Sequence, residues 1–292
     1  MSMVLMTDPD LAYEGRRLPR PHDEVVDQGL AFDIGTLLTR RRALQFLGLS
    51  AALAACSPSP TGASGPVAPT TTAGVVNPAV SREIPEETAG PYPGDGSNGP
   101  DVLEQSGVVR SDIRSSFGAG NATADGVPMT LELAIADLAN GGSPFTGVAV
   151  YVWQCDREGR YSLYSPGVEN ENYLRGVQIA DTSGRVRFTS VFPACYPGRW
   201  PHIHFEVYPD QAASTDATKA IATSQVALPQ NVCETVYAQP GYEQSVSSLR
   251  RVSLSSDNVF RDDSGASQLA TVTGDVTSGY TVTLNVGIDS RN

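Results

Sequence analysis

The sequence predicts an all-β fold, a β-sandwich of two packed, mainly antiparallel sheets with long functional loops. Three observations carry that expectation. Short apolar runs alternate with polar residues at the two-residue period of a half-buried strand. Turn formers are abundant, with 28 Gly and 21 Pro among 292 residues. Only 18% of the residues are charged, and runs with helical periodicity are scarce. A chain of this length buries a substantial core, as one large β domain or two small ones.

Taken in order, strands are expected at 129–135, 148–153, 186–192, 202–208 and 280–286. Each is a short run in which apolar residues alternate with polar ones or follow one another. Turns fall between them at Asp125-Gly126, Glu158-Gly159, Ser183-Gly184 and Ser278-Gly279. The segment 239–251 offers one short helical turn, and no internal repeat is present.

The segment ahead of these strands has a different composition. Residues 43–55 form an uncharged apolar run, too short to span a bilayer as a stable helix but sized for the core of a signal peptide. Thr39-Arg40-Arg41-Arg42 precedes it and resembles a twin-arginine export signal. Leu53-Ala54-Ala55-Cys56 ends it and resembles the lipobox cleaved before a lipid-modified cysteine, which makes Cys56 the expected lipidation site. A buried helix with a stray cysteine is the competing interpretation. Residues 57–81 are rich in Pro, Thr, Ala, Ser and Gly, without a charge until Arg82, and cannot bury a core. The expected organisation is therefore a cytoplasmic extension plus export signal over 1–55, a flexible tether over 56–81 and a folded domain over 82–292. Such a protein is exported and either lipid-anchored at the outer face of the cell membrane or secreted, its N-terminal lipid the only membrane contact.

Twenty Lys and Arg against 32 Asp and Glu give a net charge of −12. Outside Arg40-Arg41-Arg42 there is no basic run, which excludes nucleic acid as a partner, since phosphate neutralisation needs clustered cations.

The chain has three histidines, and His22 lies in the leader. His202 and His204 stand at i and i+2 in an expected strand, so both imidazoles project to one side and can share a metal ion. Alone, such a pair is equally compatible with hydrogen-bonded strand histidines. The neighbours alter that balance. Cys195-Tyr196-Pro197-Gly198-Arg199-Trp200-Pro201 runs directly into His202, and Tyr161 follows the strand that ends at Trp153.

These stretches resemble the intradiol ring-cleavage dioxygenases, which include catechol and protocatechuate dioxygenases. The similarity lies in residues 150–162, Tyr173-Leu174-Arg175-Gly176, residues 181–185, residues 192–205 and Thr88-Ala89-Gly90-Pro91-Tyr92. The resemblance implies one non-haem Fe(III) per chain, held by Tyr161, Tyr196, His202 and His204. Phenolate, a hard anionic donor, suits the ferric state, and imidazole suits either state. It further implies that Arg199 stabilises a carbanion-like substrate, that Gln225 orients Arg199, and that Tyr92 lines the substrate pocket. Tyr196 would also serve as a base. Substrates would be a small catechol and O2, and the product a cis,cis-muconate-type diacid. For each tyrosine the alternative is ordinary strand packing, and for Arg199 a surface salt bridge.

The five residues between Tyr196 and His202 form a shorter link than in the well-known cytoplasmic members. No N-terminal dimerising helix is evident, so the pocket is expected to be open and the oligomeric state is left open. With Cys56 lipidated, Cys155, Cys195 and Cys233 remain, and one disulfide plus one buried thiol is expected in an oxidising compartment. The rival function is a non-catalytic exported module that keeps the metal and binds aromatic or catecholate ligands without cleaving them.

Overall fold

The computed structural model describes residues 12–13, 16–17 and 80–291. The apolar run at 43–55, Cys56 and all of the tether before residue 80 lie outside the described residues. Among the described residues no helix is long and apolar enough to cross a membrane. A short antiparallel pair joins β1 (Ala12–Tyr13) to β2 (Arg16–Arg17).

Two sheets make up the domain. One is built on β3 (Pro128–Asp137), β4 (Ser143–Pro144), β7 (Arg185–Val191), β10 (Thr271–Asp275) and β11 (Gly279–Ile288). Its order is β10-β11-β3, and the far edge of β3 is shared by β7 and, at its C-terminal end, β4. The other sheet has the order β6-β5-β8-β9, formed by β5 (Ala149–Trp153), β6 (Arg175–Ile179), β8 (His202–Tyr208) and β9 (Ala222–Ala227). All pairs are antiparallel except β3 with β11, which run parallel from Met129↔Tyr280 to Asp137↔Ile288. The five expected strands are all present.

The core follows from the two-residue period. Met129, Leu131, Leu133 and Ile135 of β3 face Val150 and Val152 of β5 and Ile203, Phe205 and Val207 of β8, with Val282, Leu284 and Val286 of β11 completing the layer. Each such side chain contributes ~1.5–3 kcal/mol of burial free energy. The same period sends His202, His204, Trp153 and Tyr151 to the opposite face of the four-stranded sheet. That face is not solvated. The segments over 89–108 and 155–163 cover it, so Tyr151, Trp153, Tyr161, Val177 and Tyr208 form a second buried layer. β8 is consequently buried on both sides along its whole length.

Arg175 joins the cover to the sheet. It is fully buried, and it donates to Ser162 Oγ and O, Tyr92 O, Pro93 O and Tyr151 Oη at 2.7–3.1 Å. One guanidinium thereby fastens the 92–93 segment to the 162 segment, with a donor for each acceptor. Gly184 carries the β6–β7 turn at φ +73, where a Cβ would run into the Ile135 carbonyl.

Two short helices follow β9: α1 (Gln230–Tyr237) and α2 (Glu243–Leu249). The second lies inside the segment where one turn was expected. The first was not anticipated; it begins after Pro229 and buries Cys233, Val236 and Tyr237. The expected disulfide is absent. Cys155, Cys195 and Cys233 are all free and buried. The thiols face carbonyls instead, Cys155 Sγ donating to Ala194 O at 3.8 Å and Cys195 Sγ to Arg199 O at 3.5 Å. Burial raises all three thiols, Cys195 to about 12, so they are poor nucleophiles.

Candidate functional site

The site grows from one transverse row of the four-stranded sheet. His204 on β8 is directly opposite Trp153 on β5 and Gln225 on β9. Trp153 stacks on the His204 ring at 4.8 Å and 7°, which fixes the plane of the imidazole. His202, two residues earlier, shares its face, and its ring stands nearly perpendicular to that of His204. Two loops deliver the phenols. Tyr161 lies between β5 and β6, its backbone N–H donating to Ser165 Oγ at 2.9 Å. Tyr196 lies in the turn that leads into β8.

The four side chains converge. Tyr196 Oη is 3.1 Å from His202 Nε2 and 3.4 Å from Tyr161 Oη. Tyr161 Oη is 3.4 Å from His202 Nε2, and the two imidazole Nε2 atoms are 3.1 Å apart. His202 Nδ1–H donates to the Trp200 carbonyl at 2.5 Å, so its Nε2 lone pair points into the cluster. That lone pair faces a second ring nitrogen at contact distance, an arrangement that needs a proton or a cation between them. Donors ~2.0 Å from a common centre in a tetrahedral arrangement stand about 3.3 Å apart. The spacing and the N2O2 donor set therefore fit one metal ion.

Electrostatics around the cluster point the same way. Burial raises both phenols well above their ordinary range, while the Arg199 charge pulls each partly back. Burial and Arg199 together push both imidazoles down, so they are neutral at physiological pH and available as ligands. Among the described residues no group of three or more His, Cys, Asp and Glu could hold a metal. The tyrosines are what complete a ligand set.

Arg199 is 3% exposed. Its Nη2 donates to Gln225 Oε1 at 2.6 Å, and Gln225 Nε2 donates to Thr88 O at 3.0 Å. Arg199 Nε donates to Asp257 Oδ2 at 3.0 Å, a buried ion pair rather than a surface one. Tyr92 packs its ring against Tyr161 at 5.0 Å and Tyr164 at 5.2 Å, forming an aromatic wall beside the cluster. Gly90, at φ +74, lets the 88–92 segment pass close over His204. A Cβ there would sit 3.2 Å from His204 Cε1. Every candidate named from sequence within the described residues thus lies in or beside one site.

Sequence reasoning missed Asp257, Glu87 and Trp153. Trp153 could have been found, since it closes a strand register with His204. Glu87 stands next to Thr88 and is mostly buried. Burial, then Asp262, raise its carboxyl to about 8, and the Arg199 charge offsets only part of this. The folded protein therefore retains a proton that the unfolded chain releases near 4.5. Stability attributable to Glu87 is complete below that pH and falls as pH rises towards 8. Glu87→Gln is expected to flatten this decline, worth on the order of a few kcal/mol between pH 5 and 8. Urea unfolding at the two pH values tests it; an unchanged pH slope would remove Glu87 from the account.

The domain is a two-sheet sandwich with a buried cluster of two tyrosines and two histidines beside a fixed arginine. A family model described as dioxygenase matches residues 98–212, a span holding all four cluster residues and Arg199. A chlorocatechol 1,2-dioxygenase of Rhodococcus opacus is 34% identical over 55 residues, 19% of this chain and 21% of that protein. A protocatechuate 3,4-dioxygenase beta chain of Burkholderia cepacia is 30% identical over 112 residues, 34% of this chain and 48% of that one. The chain thus spans less than half the length of these relatives. A solved intradiol ring-cleavage dioxygenase from Tetranychus urticae shares the fold, with TM-score 0.56, 24% identity and coverage of 72% of this chain and 96% of that one. The chain thus resembles the dioxygenase family over residues 98–212 and has the fold of a solved intradiol ring-cleavage dioxygenase.

Proposed function

We propose that this domain is a non-haem Fe(III) intradiol dioxygenase that opens the ring of a catechol-type aromatic with O2, giving a cis,cis-muconate-type diacid. Tyr161, Tyr196, His202 and His204 would hold one ferric ion. The carrying observation is the convergence of two phenol oxygens and two imidazole nitrogens at 3.1–3.4 Å. When bound, the ferric ion would supply Lewis-acid activation of a catechol, making the ring reactive towards O2.

The remaining roles belong to the chain. Tyr196, less enclosed than Tyr161, is the phenol placed to take a catechol proton on its Oη. Tyr161, buried beneath Tyr92, stays in place. Arg199 holds a permanent positive charge where negative charge develops on the ring, and Gln225 fixes its direction. Tyr92 and Tyr164 enclose the aromatic substrate and exclude water.

Export fits this chemistry, because the tether would present the domain to catechols outside the cell membrane, with the lipid on Cys56 as its attachment. The direct test is oxygen uptake by the iron-loaded domain with catechol, with the ring-opened diacid identified by mass. Uptake in a one-to-one ratio with diacid is the expected result. Iron-dependent binding of catechol without any diacid would leave a non-catalytic binding module in its place.

A further inference from the structure

Arg199 is held by more than Gln225, and its second anchor lies far away in sequence. Asp257 lies beyond α2 and is fully buried. Both of its oxygens are fully used. Oδ2 accepts from Arg199 Nε at 3.0 Å and from the Trp200 N–H at 2.6 Å. Oδ1 accepts from the N–H groups of Val259 at 2.8 Å and Phe260 at 3.2 Å. The carboxyl is held below its ordinary range, the Arg199 charge outweighing much of the effect of burial, so it is an anion facing a cation.

Two further contacts extend its reach. Trp200, gripped through its N–H by Asp257, offers its carbonyl to His202 Nδ1 at 2.5 Å and its indole N–H to Leu228 O at 2.9 Å. On the guanidinium, Nε is bound by Asp257 and Nη2 by Gln225. Nη1 makes no hydrogen bond among the described residues. Two sides of the fork are thus fixed by the protein and the third is left for substrate.

We propose that Asp257 is a positioning residue for this site: one buried carboxylate sets the direction and balances the charge of Arg199, and through Trp200 it sets the orientation of His202. The proposal rests on the dioxygenase reading above. It makes Arg199 and Asp257 a buried ion pair in the resting site, with Nη1 the part of the fork left towards substrate. It also explains why the 253–260 segment, which contributes nothing to the two sheets, is folded back against the site.

The test is a double-mutant cycle in the full iron-loaded protein, with Asp257→Asn, Arg199→Gln and both together. Asparagine offers one acceptor where four donors converge, and it removes the charge. Iron content and catechol affinity without oxygen are expected to stay within about threefold, while kcat falls about 10- to 100-fold, the range for losing a group that orients a ligand. The tyrosinate-to-iron absorption band should move to shorter wavelength as the uncompensated Arg199 charge stabilises the Tyr196 phenolate. In the Arg199→Gln background the same change should cost less than threefold in kcat and leave the band in place.

Equal losses in both backgrounds, or kcat within twofold of the parent, would overturn the proposal. Asp257→Glu covers the case in which Asp257→Asn does not fold, since it keeps both oxygens and the charge but lengthens the reach. It should leave the band unmoved and lower kcat at least about fivefold, and a kcat within twofold of the parent would again overturn it. A parent protein that binds iron and catechol while its Asp257 variants behave like it defeats the positioning role alone. A parent with no catechol-dependent colour defeats the dioxygenase reading, and this proposal with it.

Discussion

Arg199→Ala is expected to lower kcat by roughly 10²–10³, the usual cost of deleting a preorganised group aimed at developing charge. Catechol binding without oxygen should change far less, because the guanidinium acts on charge that appears after the catechol is in place. The substitution also leaves Asp257 buried without its cation. Breaking a buried pair from one side costs about 3–5 kcal/mol, so the thermal midpoint should fall by several degrees while iron content is retained. The two consequences separate cleanly: Arg199→Ala combined with Asp257→Asn should recover much of the stability and none of the rate. Steady-state oxygen uptake and thermal unfolding on the same samples check this. A kcat within a factor of three of the parent would remove Arg199 from the catalytic account.

Tyr161→Phe should have the other large effect. The change deletes one oxygen and almost no volume, so the aromatic packing against Tyr92 and Tyr196 remains. The cluster is left with one phenol and two imidazoles, poorer in the hard anionic donors that favour the ferric state. Second-layer substitutions at metal sites commonly cost 10- to 100-fold in affinity, and loss of a donor itself should exceed about 100-fold. Tyr196→Phe should also weaken iron binding, and it removes the proton acceptor as well. Iron titration against a competing chelator, read together with the visible spectrum, distinguishes them. Unaltered affinity and colour in either variant would strike that tyrosine from the ligand set.

The parts of the molecule legible in the sequence were those where chemistry coincided with periodicity. His202 and His204 could be placed on one face because i, i+2 spacing in a strand admits no other arrangement, and β8 has that register. Strands β3, β5, β7 and β11 announced themselves by alternating or continuous apolar residues. β6 and β9 did not. Arg175-Gly-Val-Gln-Ile179 carries a charge that reads as exposed, yet Arg175 is fully buried, and two of its partners, Tyr92 and Pro93, are distant in sequence. Ala222 to Ala227 is short and polar, but it is buried on both faces because Gln225 and Ser224 find acceptors in the chain that crosses over them. Such partners are set by tertiary folding, and no local pattern encodes them.

The site divides the same way. The four cluster residues and Arg199 sit within forty-four residues of one another, and residue type and spacing were enough to single them out. Asp257 follows Ser253-Leu254-Ser255-Ser256, a stretch that reads as an ordinary polar turn. Its importance arises only when the chain returns to Arg199. Glu87 is similar, an acidic residue whose neighbours Asp257, Asp262 and Arg199 come from distant segments. The disulfide expectation rested on cysteine count alone; all three thiols are free and buried, Cys155 in the layer outside the sheet and Cys195 and Cys233 in the main core.

The central claim is that two tyrosines and two histidines form a ferric site that accepts a catechol. The visible spectrum of the iron-loaded protein, with iron quantified, before and after catechol is added in the absence of oxygen, tests it most directly. A coloured tyrosinate-to-iron band at one iron per chain, shifting when catechol is added, is the result this account predicts. A protein that remains colourless after ferric loading would contradict it and break the assignment of Tyr161 and Tyr196 as ligands.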